Sequence, residues 1–204
     1  MTKIKICGIT NLKDARLCEE MGVDFIGFIF APSLRQVDVR HSRKIIKRLS
    51  PNIKKVGVFV NEELYKVNQT VKMAGLDYVQ LHGEESKAFC EKVSVPVIKA
   101  FRIAAQRSLK RAEAYEEYAK YFLFDAFVKG KRGGTGKTFR WSMLKKLKSP
   151  NPYFVSGGLN VENVAQAIKA LKPFAVDASS SLEESPGIKD PILISQFICA
   201  VRSS

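Results

Sequence analysis

Short apolar runs recur along this chain, and stretches with helical spacing separate most of them. Each run is four to six residues long and is rich in β-branched or aromatic side chains. Runs of this kind are typical of buried parallel strands, because apolar neighbours cover both faces of such a strand. The pattern predicts eight strands: Lys3–Cys7, Phe25–Phe30, Val56–Val60, Tyr78–His82, Val97–Phe101, Tyr121–Asp125, Tyr153–Ser156 and Phe174–Asp177.

The stretches between the strands carry the start and stop signals of helices. Asn61 precedes two glutamates and Gly75 follows the last periodic residue, as is usual at the two ends of a helix. Thr10 or Asn11 is predicted to cap the first helix, and Asn160 the seventh. The predicted helices are about Leu12–Met21, Val39–Leu49, Glu62–Ala74, Glu84–Val93, Ala105–Lys120, Phe139–Leu147, Val161–Leu171 and Pro191–Val201.

Strand followed by helix, repeated eight times in 204 residues, predicts an α/β protein with one (β/α)8 (TIM) barrel domain over residues 1–204. An open doubly wound sheet is the alternative, but eight units without an obvious edge strand favour closure. In a barrel the residues that carry chemistry lie where the strands end. We therefore expect residues at the ends of different strands to share one face of the protein.

Cys7 and Asp125 are the strand-end residues of greatest chemical interest. Cys7 precedes Gly8 and is either a small buried hydrophobic residue or a reactive thiol that acts as a base. Asp125 ends the run Tyr-Phe-Leu-Phe, where a charged carboxylate is costly to bury unless it has partners or its pKa rises. Either outcome suits a proton donor, and a structural acid bonded to the next loop is the alternative.

His82 and Asp177 end two further predicted strands. His82, followed by Gly83, either orients a ligand or hydrogen-bonds the rim of the barrel. Asp177 is an acid of the same kind as Asp125, with a structural role as the stronger alternative. Both are candidate substrate-binding residues.

Two segments rich in glycine and serine follow the last two strands. Gly157 and Gly158 come after strand seven, and Ser179 and Ser180 come after strand eight. Backbone N–H groups of such loops, with the start of a short helix behind them, form the phosphate site of many barrels. Simple turn formation is the alternative interpretation of the same residues.

The loop Gly130–Thr138 has some likeness to a nucleotide-binding P-loop. Five residues separate Gly130 from Gly136, whereas a P-loop requires four. We therefore interpret this segment as an adaptable active-site loop whose lysine and threonine side chains contact anions.

Composition narrows the class of protein. The net charge of +14 fits a solvated surface, attraction of an anionic substrate, or nucleic-acid binding, but no nucleic-acid-binding motif accompanies it. The four cysteines lack the spacing of a metal site or a disulfide framework. No apolar run is long enough to span a membrane, and the chain begins directly with a predicted strand. We expect a cytoplasmic protein without membrane or nucleic-acid partners.

Six motifs resemble, in the same order, those of phosphoribosylanthranilate isomerase, an enzyme of tryptophan biosynthesis. The resemblance extends from Lys3 to Asp190. The motifs are Lys5-Ile-Cys-Gly-Ile-Thr10, Val58-Phe-Val-Asn61, Val79-Gln-Leu-His-Gly83, Gly133-Gly-Thr-Gly-Lys-Thr-Phe139, Ser156-Gly-Gly-Leu159 and Asp177-Ala-Ser-Ser180.

This resemblance implies an Amadori rearrangement of N-(5'-phosphoribosyl)anthranilate to 1-(2-carboxyphenylamino)-1-deoxyribulose 5-phosphate. It implies that Cys7 is the general base and Asp125 the general acid, and that Arg35 meets the anthranilate carboxylate. The phosphate would lie on the backbone of the Gly157–Gly158 and Ser179–Ser180 segments. No metal or redox cofactor is required, since the substrate nitrogen serves as the electron sink. The expected partner is this small phosphosugar-anthranilate substrate, bound by a monomer or a homodimer.

The chain departs from the family pattern at four positions. Ser181 occupies a position where glycine is expected, which would strain the phosphate loop if that residue had a positive φ. Arg140 replaces an acidic or amide residue, and Leu34 and Gln36 flank Arg35 where proline and an aromatic residue are common. Two hypotheses compete with this one: another barrel enzyme acting on a phosphosugar, including a dual-substrate isomerase that also serves histidine biosynthesis, and a nucleic-acid-binding barrel.

Overall fold

Eight parallel strands form a closed barrel in chain order in this computed structural model, which describes residues 1–103, 106–125 and 141–204. Ile4 of the first strand pairs with Val176 of the last, and this pairing closes the sheet. Closure excludes the open doubly wound alternative and confirms the predicted TIM barrel. The strands are β1 (Lys3–Cys7), β2 (Phe25–Ile29), β3 (Lys54–Phe59), β4 (Tyr78–Leu81), β5 (Val97–Arg102), β6 (Tyr121–Asp125), β7 (Tyr153–Ser156) and β8 (Ala175–Ala178).

Five of the strands differ from the prediction at a boundary, and two of these differences change the position of a candidate residue. β4 ends at Leu81, so His82 is the first residue after the strand. β8 ends at Ala178, so the Asp177 side chain lies one position inside the barrel mouth. The other predicted strands contain the same central residues, because their apolar side chains fill the core.

Seven α-helices pack around the barrel within the described ranges. The sixth predicted helix is instead a 3₁₀ segment, Trp141–Lys146, and its expected start at Phe139 lies outside the described residues. The α-helices are α1 (Leu12–Glu20), α2 (Val39–Ile46), α3 (Leu64–Ala74), α4 (Lys87–Glu91), α5 (Gln106–Glu113), α6 (Val164–Leu171) and α7 (Pro191–Arg202).

Side-chain contacts explain why two helices begin later than predicted. Asn61 has a φ of 52° and accepts a hydrogen bond from the Glu84 N–H, so it does not cap α3. Glu85 turns inward to contact Lys99 at 2.9 Å, and Ser86 becomes the cap of α4. Both changes follow from tertiary contacts between loops, which the local sequence pattern does not contain.

The barrel interior is apolar at the amino ends of the strands and polar above. Aromatic rings close the lower end, with the Tyr121 and Phe174 ring centroids 4.7 Å apart. One level higher, Lys5, Gln80 and Asp177 are almost fully buried. Buried polar groups require hydrogen-bond partners, so this upper layer must be an ordered network.

A short hairpin follows β8 and was not predicted from the sequence. Its strands are β9 (Glu183–Ser185) and β10 (Ile188–Lys189), preceded by the 3₁₀ turn Ser180–Leu182. The Thr10 hydroxyl donates to the Gly187 carbonyl at 2.5 Å, which packs the hairpin against the loop after β1. The hairpin therefore brings Glu183 and Lys189 to the carboxyl end of the barrel.

Among the helices of the described segments, we find none with the length and apolar character that crossing a bilayer requires.

Candidate active site

Cys7 is the last residue of β1, and its thiol is buried at the carboxyl end of the barrel. Its register partner on β2 is Gly27. A Cβ atom on Gly27 would lie 2.6 Å from the Cys7 Sγ, closer than any such contact can be. Glycine at this position therefore provides the space in which the thiol lies.

A buried ion pair lies directly beneath this thiol. The Lys5 Nζ is 2.7 Å from Asp177 Oδ1, and the Ser156 hydroxyl donates to Asp177 Oδ2 at 3.0 Å. Burial lowers the pKa of Lys5, but the charges of Asp177 and Cys7 together raise the pKa above its ordinary value. Lys5 is therefore an ammonium group that interacts electrostatically with the thiol.

The electrostatic environment of Cys7 combines opposing effects. Burial raises the pKa of the Cys7 thiol, and the Asp177 carboxylate raises it further, whereas the Lys5 and Lys189 ammonium groups lower it. The net pKa is above the ordinary value, so the neutral thiol is favoured. The two ammonium groups reduce the free-energy cost of forming a thiolate at this buried position.

Asp125 ends β6 and is joined to His82 by a second polar arrangement. The His82 Nε2 is 3.3 Å from Asp125 Oδ2, and the two side chains are 20% and 16% exposed. The Gln80 side-chain amide is 3.1 Å from the other ring nitrogen of His82, Nδ1. The predicted acid is therefore partly exposed and in contact with a histidine.

The two polar arrangements meet through neighbouring strands. Asp125 is the register partner of Ser156, and the Ser156 hydroxyl bonds to Asp177. The same carboxyl end thus carries Cys7 with Asp177 on one side and Asp125 with His82 on the other, as the sequence predicted.

Arg35 lies in the loop after β2, with its guanidinium on a carboxylate of the hairpin. Its Nε and Nη2 atoms donate to Glu183 at 2.6 to 3.0 Å, and Lys189 Nζ contacts the same carboxylate at 2.8 Å. The Arg35 Nη1 edge has no hydrogen-bond partner among the described residues. A Cβ on Gly8 would lie 2.8 Å from the Arg35 side chain and 3.1 Å from the Ser179 hydroxyl. Gly8 therefore allows Arg35 and Ser179 to approach each other.

The two residues flanking Arg35 are the ones that depart from the family pattern. Leu34 is 80% exposed. The Gln36 side chain donates to the Phe30 carbonyl at 3.0 Å and its backbone forms a bridge with Ile29. Gln36 therefore fixes the loop that carries Arg35.

The predicted anion-binding segments lie side by side after β7 and β8. Gly157 and Gly158 have φ values of 89° and 76°. The backbone N–H groups of Gly157, Gly158, Ser179 and Ser180 donate to none of the described residues. Such N–H groups are available to bind an anion.

Ser181 follows these segments, and its backbone is not in the positive-φ region, so the strain considered from the sequence is not present. Its hydroxyl donates to the Leu159 carbonyl at 2.5 Å, which ties together the loops after β7 and β8. Ser181 therefore helps to hold the two predicted anion-binding segments in place. The predicted loop Gly130–Thr138 and Arg140 lie outside the described residues.

Sequence reasoning missed several residues of this site, including Lys5, Gln80 and Glu183. A signal for Lys5 was present, because in the strand Lys-Ile-Lys-Ile-Cys it alternates onto the same face as Cys7. Gln80 has the same relation to His82. Glu183 had no such signal, since its position depends on the unpredicted hairpin.

In the part of the chain that the structure describes, no three His, Cys, Asp or Glu residues form a group that could hold a metal ion.

Comparison with known proteins gives a consistent result. The family described as N-(5'-phosphoribosyl)anthranilate (PRA) isomerase matches residues 4–200. An N-(5'-phosphoribosyl)anthranilate isomerase from Pelobacter propionicus is 45% identical over 199 residues, covering 97% of this chain and 94% of the relative. The chain belongs to the phosphoribosylanthranilate isomerase family. It is an isomerase that converts N-(5'-phosphoribosyl)anthranilate to 1-(2-carboxyphenylamino)-1-deoxyribulose 5-phosphate in tryptophan biosynthesis.

Solved structures of phosphoribosylanthranilate isomerases have the same architecture. The crystal structure from Thermotoga maritima superposes with a TM-score of 0.94 at 42% identity, covering all of both chains. Another phosphoribosylanthranilate isomerase structure, at 39% identity with a TM-score of 0.88 and full coverage of both chains, contains reduced 1-(o-carboxyphenylamino)-1-deoxyribulose 5-phosphate. A third, from Thermotoga maritima, shows monomers generated from a dimeric isomerase; it has a TM-score of 0.87, 39% identity and full coverage of both chains.

Proposed function

We propose that this isomerase uses Cys7 as its general base and Asp125 as its general acid. The observation that carries the proposal is the position of both side chains at the carboxyl ends of barrel strands, beside two loops with available backbone N–H groups. A base and an acid that face one bound sugar can move a proton between neighbouring carbons.

The reaction begins with ring opening. Asp125 donates a proton to the furanose ring oxygen while the lone pair of the anthranilate nitrogen forms a C=N bond to C1. The C1–O bond breaks, and the product is a protonated Schiff base with a free hydroxyl group on C4. Asp125 is left as a carboxylate, which the neighbouring His82 N–H stabilises.

The second step moves a proton from carbon. The Cys7 thiolate removes the proton from C2, and the electrons of the C–H bond form a C1=C2 double bond while the nitrogen regains its lone pair. The resulting enolamine tautomerises to the ketone. The positive charge of the nearby Lys5 ammonium group favours the thiolate that this step requires.

Substrate binding would use the two anions of the substrate. The phosphate would accept hydrogen bonds from the N–H groups of Gly157, Gly158, Ser179 and Ser180. The carboxylate of the anthranilate ring would meet the Nη1 edge of Arg35, whose other edge is anchored by Glu183.

His82 and Asp177 have different roles in this proposal. His82 lies at the mouth and contacts the substrate together with Asp125. Asp177 acts from below, because both of its oxygens already accept hydrogen bonds from Lys5 and Ser156. The net charge of +14 would assist the capture of a substrate with two anionic groups.

We also propose that the enzyme works in the cytoplasm as a monomer or homodimer. Its four cysteines are all unpaired, which suits a reducing compartment. A homologue from Thermotoga maritima is described as dimeric, which supports testing self-association by sedimentation.

The test of the catalytic roles is a fluorescence assay of substrate consumption. Cys7→Ser and Asp125→Asn should each lower kcat by roughly a hundredfold to ten-thousandfold, because each removes a proton-transfer group. Cys199→Ser, which removes an exposed thiol on α7, is the matched control and should retain parental turnover. Parental kcat in either Cys7→Ser or Asp125→Asn would contradict the proposed mechanism.

A further inference from the structure

Gln80 forms a part-buried hydrogen bond to His82, on the side of the ring away from Asp125. Its side chain projects from β4 into the barrel and is 2% exposed. The amide nitrogen lies 3.1 Å from His82 Nδ1. The amide oxygen, Oε1, is buried and has no hydrogen-bond partner among the described residues.

An unpartnered buried carbonyl oxygen lowers stability, and a leucine would fill nearly the same volume without that penalty. The amide nitrogen of Gln80 is the part of the side chain that a leucine could not replace, because it makes a specific contact. That contact is to a ring nitrogen whose protonation determines what His82 can do.

The contact fixes the position of the proton on His82. An amide NH2 group can only donate, so His82 Nδ1 must accept and cannot itself carry a proton. A neutral imidazole carries one N–H, which is then on Nε2. The Nε2 atom is 3.3 Å from Asp125 Oδ2 and can donate to it.

A charged His82 would be disfavoured by the same contact. An imidazolium has N–H groups on both nitrogens, and its Nδ1–H would then point at the donor group of Gln80. An imidazolium beside Asp125 would favour the carboxylate over the acid, so a neutral ring suits a proton donor at Asp125.

We propose that Gln80 is a positioning residue that holds His82 as the neutral Nε2–H tautomer, so that no imidazolium charge forms beside Asp125. This inference rests on the proposed role of Asp125 as general acid. It adds a residue that does not touch the substrate and acts through the ring of His82.

Other charged groups also face His82 and act on its protonation. Two arginines of β5 and α5 oppose a positive ring, whereas a glutamate of the loop after β4 favours it. These groups line a cleft of about 220 Å³ with His82, and they are Arg102, Arg111 and Glu84. Arg111 is paired with Glu84, and the Lys99 ammonium group, on the Gly83 carbonyl at 2.8 Å, is paired with Glu85. In each pair the positive and negative charges oppose each other in their effect on the ring of His82. Gln80 is the group in direct contact with Nδ1.

Nitrogen NMR of the imidazole rings tests the proposal directly. The chain has two histidines, so His41→Gln assigns both sets of signals. The second ring provides an internal reference, because His41 Nε2 is 2.6 Å from the Thr10 carbonyl and must carry a proton there. The uniformly labelled parent protein should show His82 as the Nε2–H tautomer at neutral pH.

Two substitutions at Gln80 should change the nitrogen NMR signals of His82 in different ways. Gln80→Leu removes the donor, and His82 should become a mixture of tautomers or a charged ring at neutral pH. Gln80→Glu offers an acceptor to Nδ1–H, and the titration midpoint of His82 should rise by about one pH unit or more. Gln69→Leu makes the same kind of change on the outer face of α3 and should leave the His82 signals unchanged.

Activity and stability provide the second readout. In Gln80→Leu, kcat should fall about tenfold with little change in KM, and the alkaline limb of the pH profile should move to lower pH. The thermal midpoint should be equal to or above that of the parent, since the unpartnered oxygen is gone. A merely structural glutamine would instead lower the thermal midpoint and leave the pH profile in place.

Three results would overturn the inference. They are a parent spectrum with His82 charged or protonated on Nδ1 at neutral pH, unchanged ring signals in Gln80→Leu, and an unchanged pH profile in that variant. The NMR result does not depend on turnover. A parent protein with the Nε2–H tautomer but no loss of activity in Asp125→Asn would contradict the proposed acid and leave the hydrogen-bond assignment intact.

Discussion

The two sides of the active-site mouth support their proposed proton-transfer groups by opposite means. On the β1–β8 side, Cys7 lies near the buried ammonium group of Lys5, itself paired with Asp177 at 2.7 Å. On the β4–β6 side, Asp125 lies against His82, which an uncharged amide from Gln80 contacts at 3.1 Å. The group that supports Cys7 is therefore a charged ion pair, whereas the group that supports His82 is an uncharged amide.

The difference follows from what each group must do. A base is useful when it has lost its proton, and a buried thiol loses one only if positive charge lies nearby. An acid is useful when it still has its proton, and a strong cation beside it would remove that proton too early. The same barrel therefore needs an ion pair on one side and an uncharged donor on the other.

The largest effect is expected from removing the charge on the base side. Lys5→Gln should lower kcat/KM by about a hundredfold, because it removes the positive charge that favours the Cys7 thiolate. Because the pKa of Cys7 is already raised by burial, the acidic limb of the pH profile should move further toward high pH. Thiolate absorbance at 240 nm in a Cys199→Ser background measures the same titration.

Lys5→Gln also leaves Asp177 without its cation, so stability needs a control. Lys5→Met combined with Asp177→Asn removes both charges and should recover much of the lost stability without recovering activity. Burial also raises the pKa values of Cys18 and Cys90, to about 12 and about 11, so a Cys7→Ser variant gives their absorbance for subtraction. A double variant with parental kcat/KM would contradict the electrostatic role of Lys5.

A smaller effect is expected when a residue on the acid side is likewise replaced by glutamine. His82→Gln keeps an uncharged N–H donor near Asp125, so kcat should fall only about tenfold, mainly through less accurate positioning. The pH profile of kcat/KM, measured beside that of Lys5→Gln, makes the comparison. Equal losses in the two variants would show that the sides do not differ as described.

The smallest effect is expected from a change at the edge of the base side. Burial opposes ionisation of Glu183, but hydrogen bonds from Arg35 and Lys189 lower its pKa below the ordinary value of 4.5. The stability it contributes is therefore complete above about pH 4.5 and is lost as the pH falls through the lower folded-state pKa.

Glu183→Gln should cost about 1–2 kcal/mol in the free energy of unfolding at pH 7. Urea denaturation of parent and variant between pH 7 and pH 3 should give curves that converge at the acid end. Stability that differs by the same amount at every pH would contradict an ionised, paired Glu183. Glu184→Gln, one residue further along β9, is the matched control.

Much of the fold could be predicted because its signals are local. Alternating short apolar runs and helical stretches predicted all eight strands, and closure followed from their number. Cys7 and Asp125 were identifiable because strand ends in a barrel meet at one face. The boundaries of α3 and α4 were wrong, because Asn61 and Glu85 bond across loops in preference to their own helices.

The sequence alone determined the order of the strands, the strand ends at which the proposed acid and base lie, and the chemical types available there. It did so because backbone periodicity and apolar burial act over neighbouring residues. Only the tertiary structure decided which charges meet: Lys5 with Asp177, Arg35 with Glu183, and Gln80 with the His82 that contacts Asp125. Electrostatic partners depend on distances between strands and loops far apart along the chain, and these distances exist only once the barrel has closed.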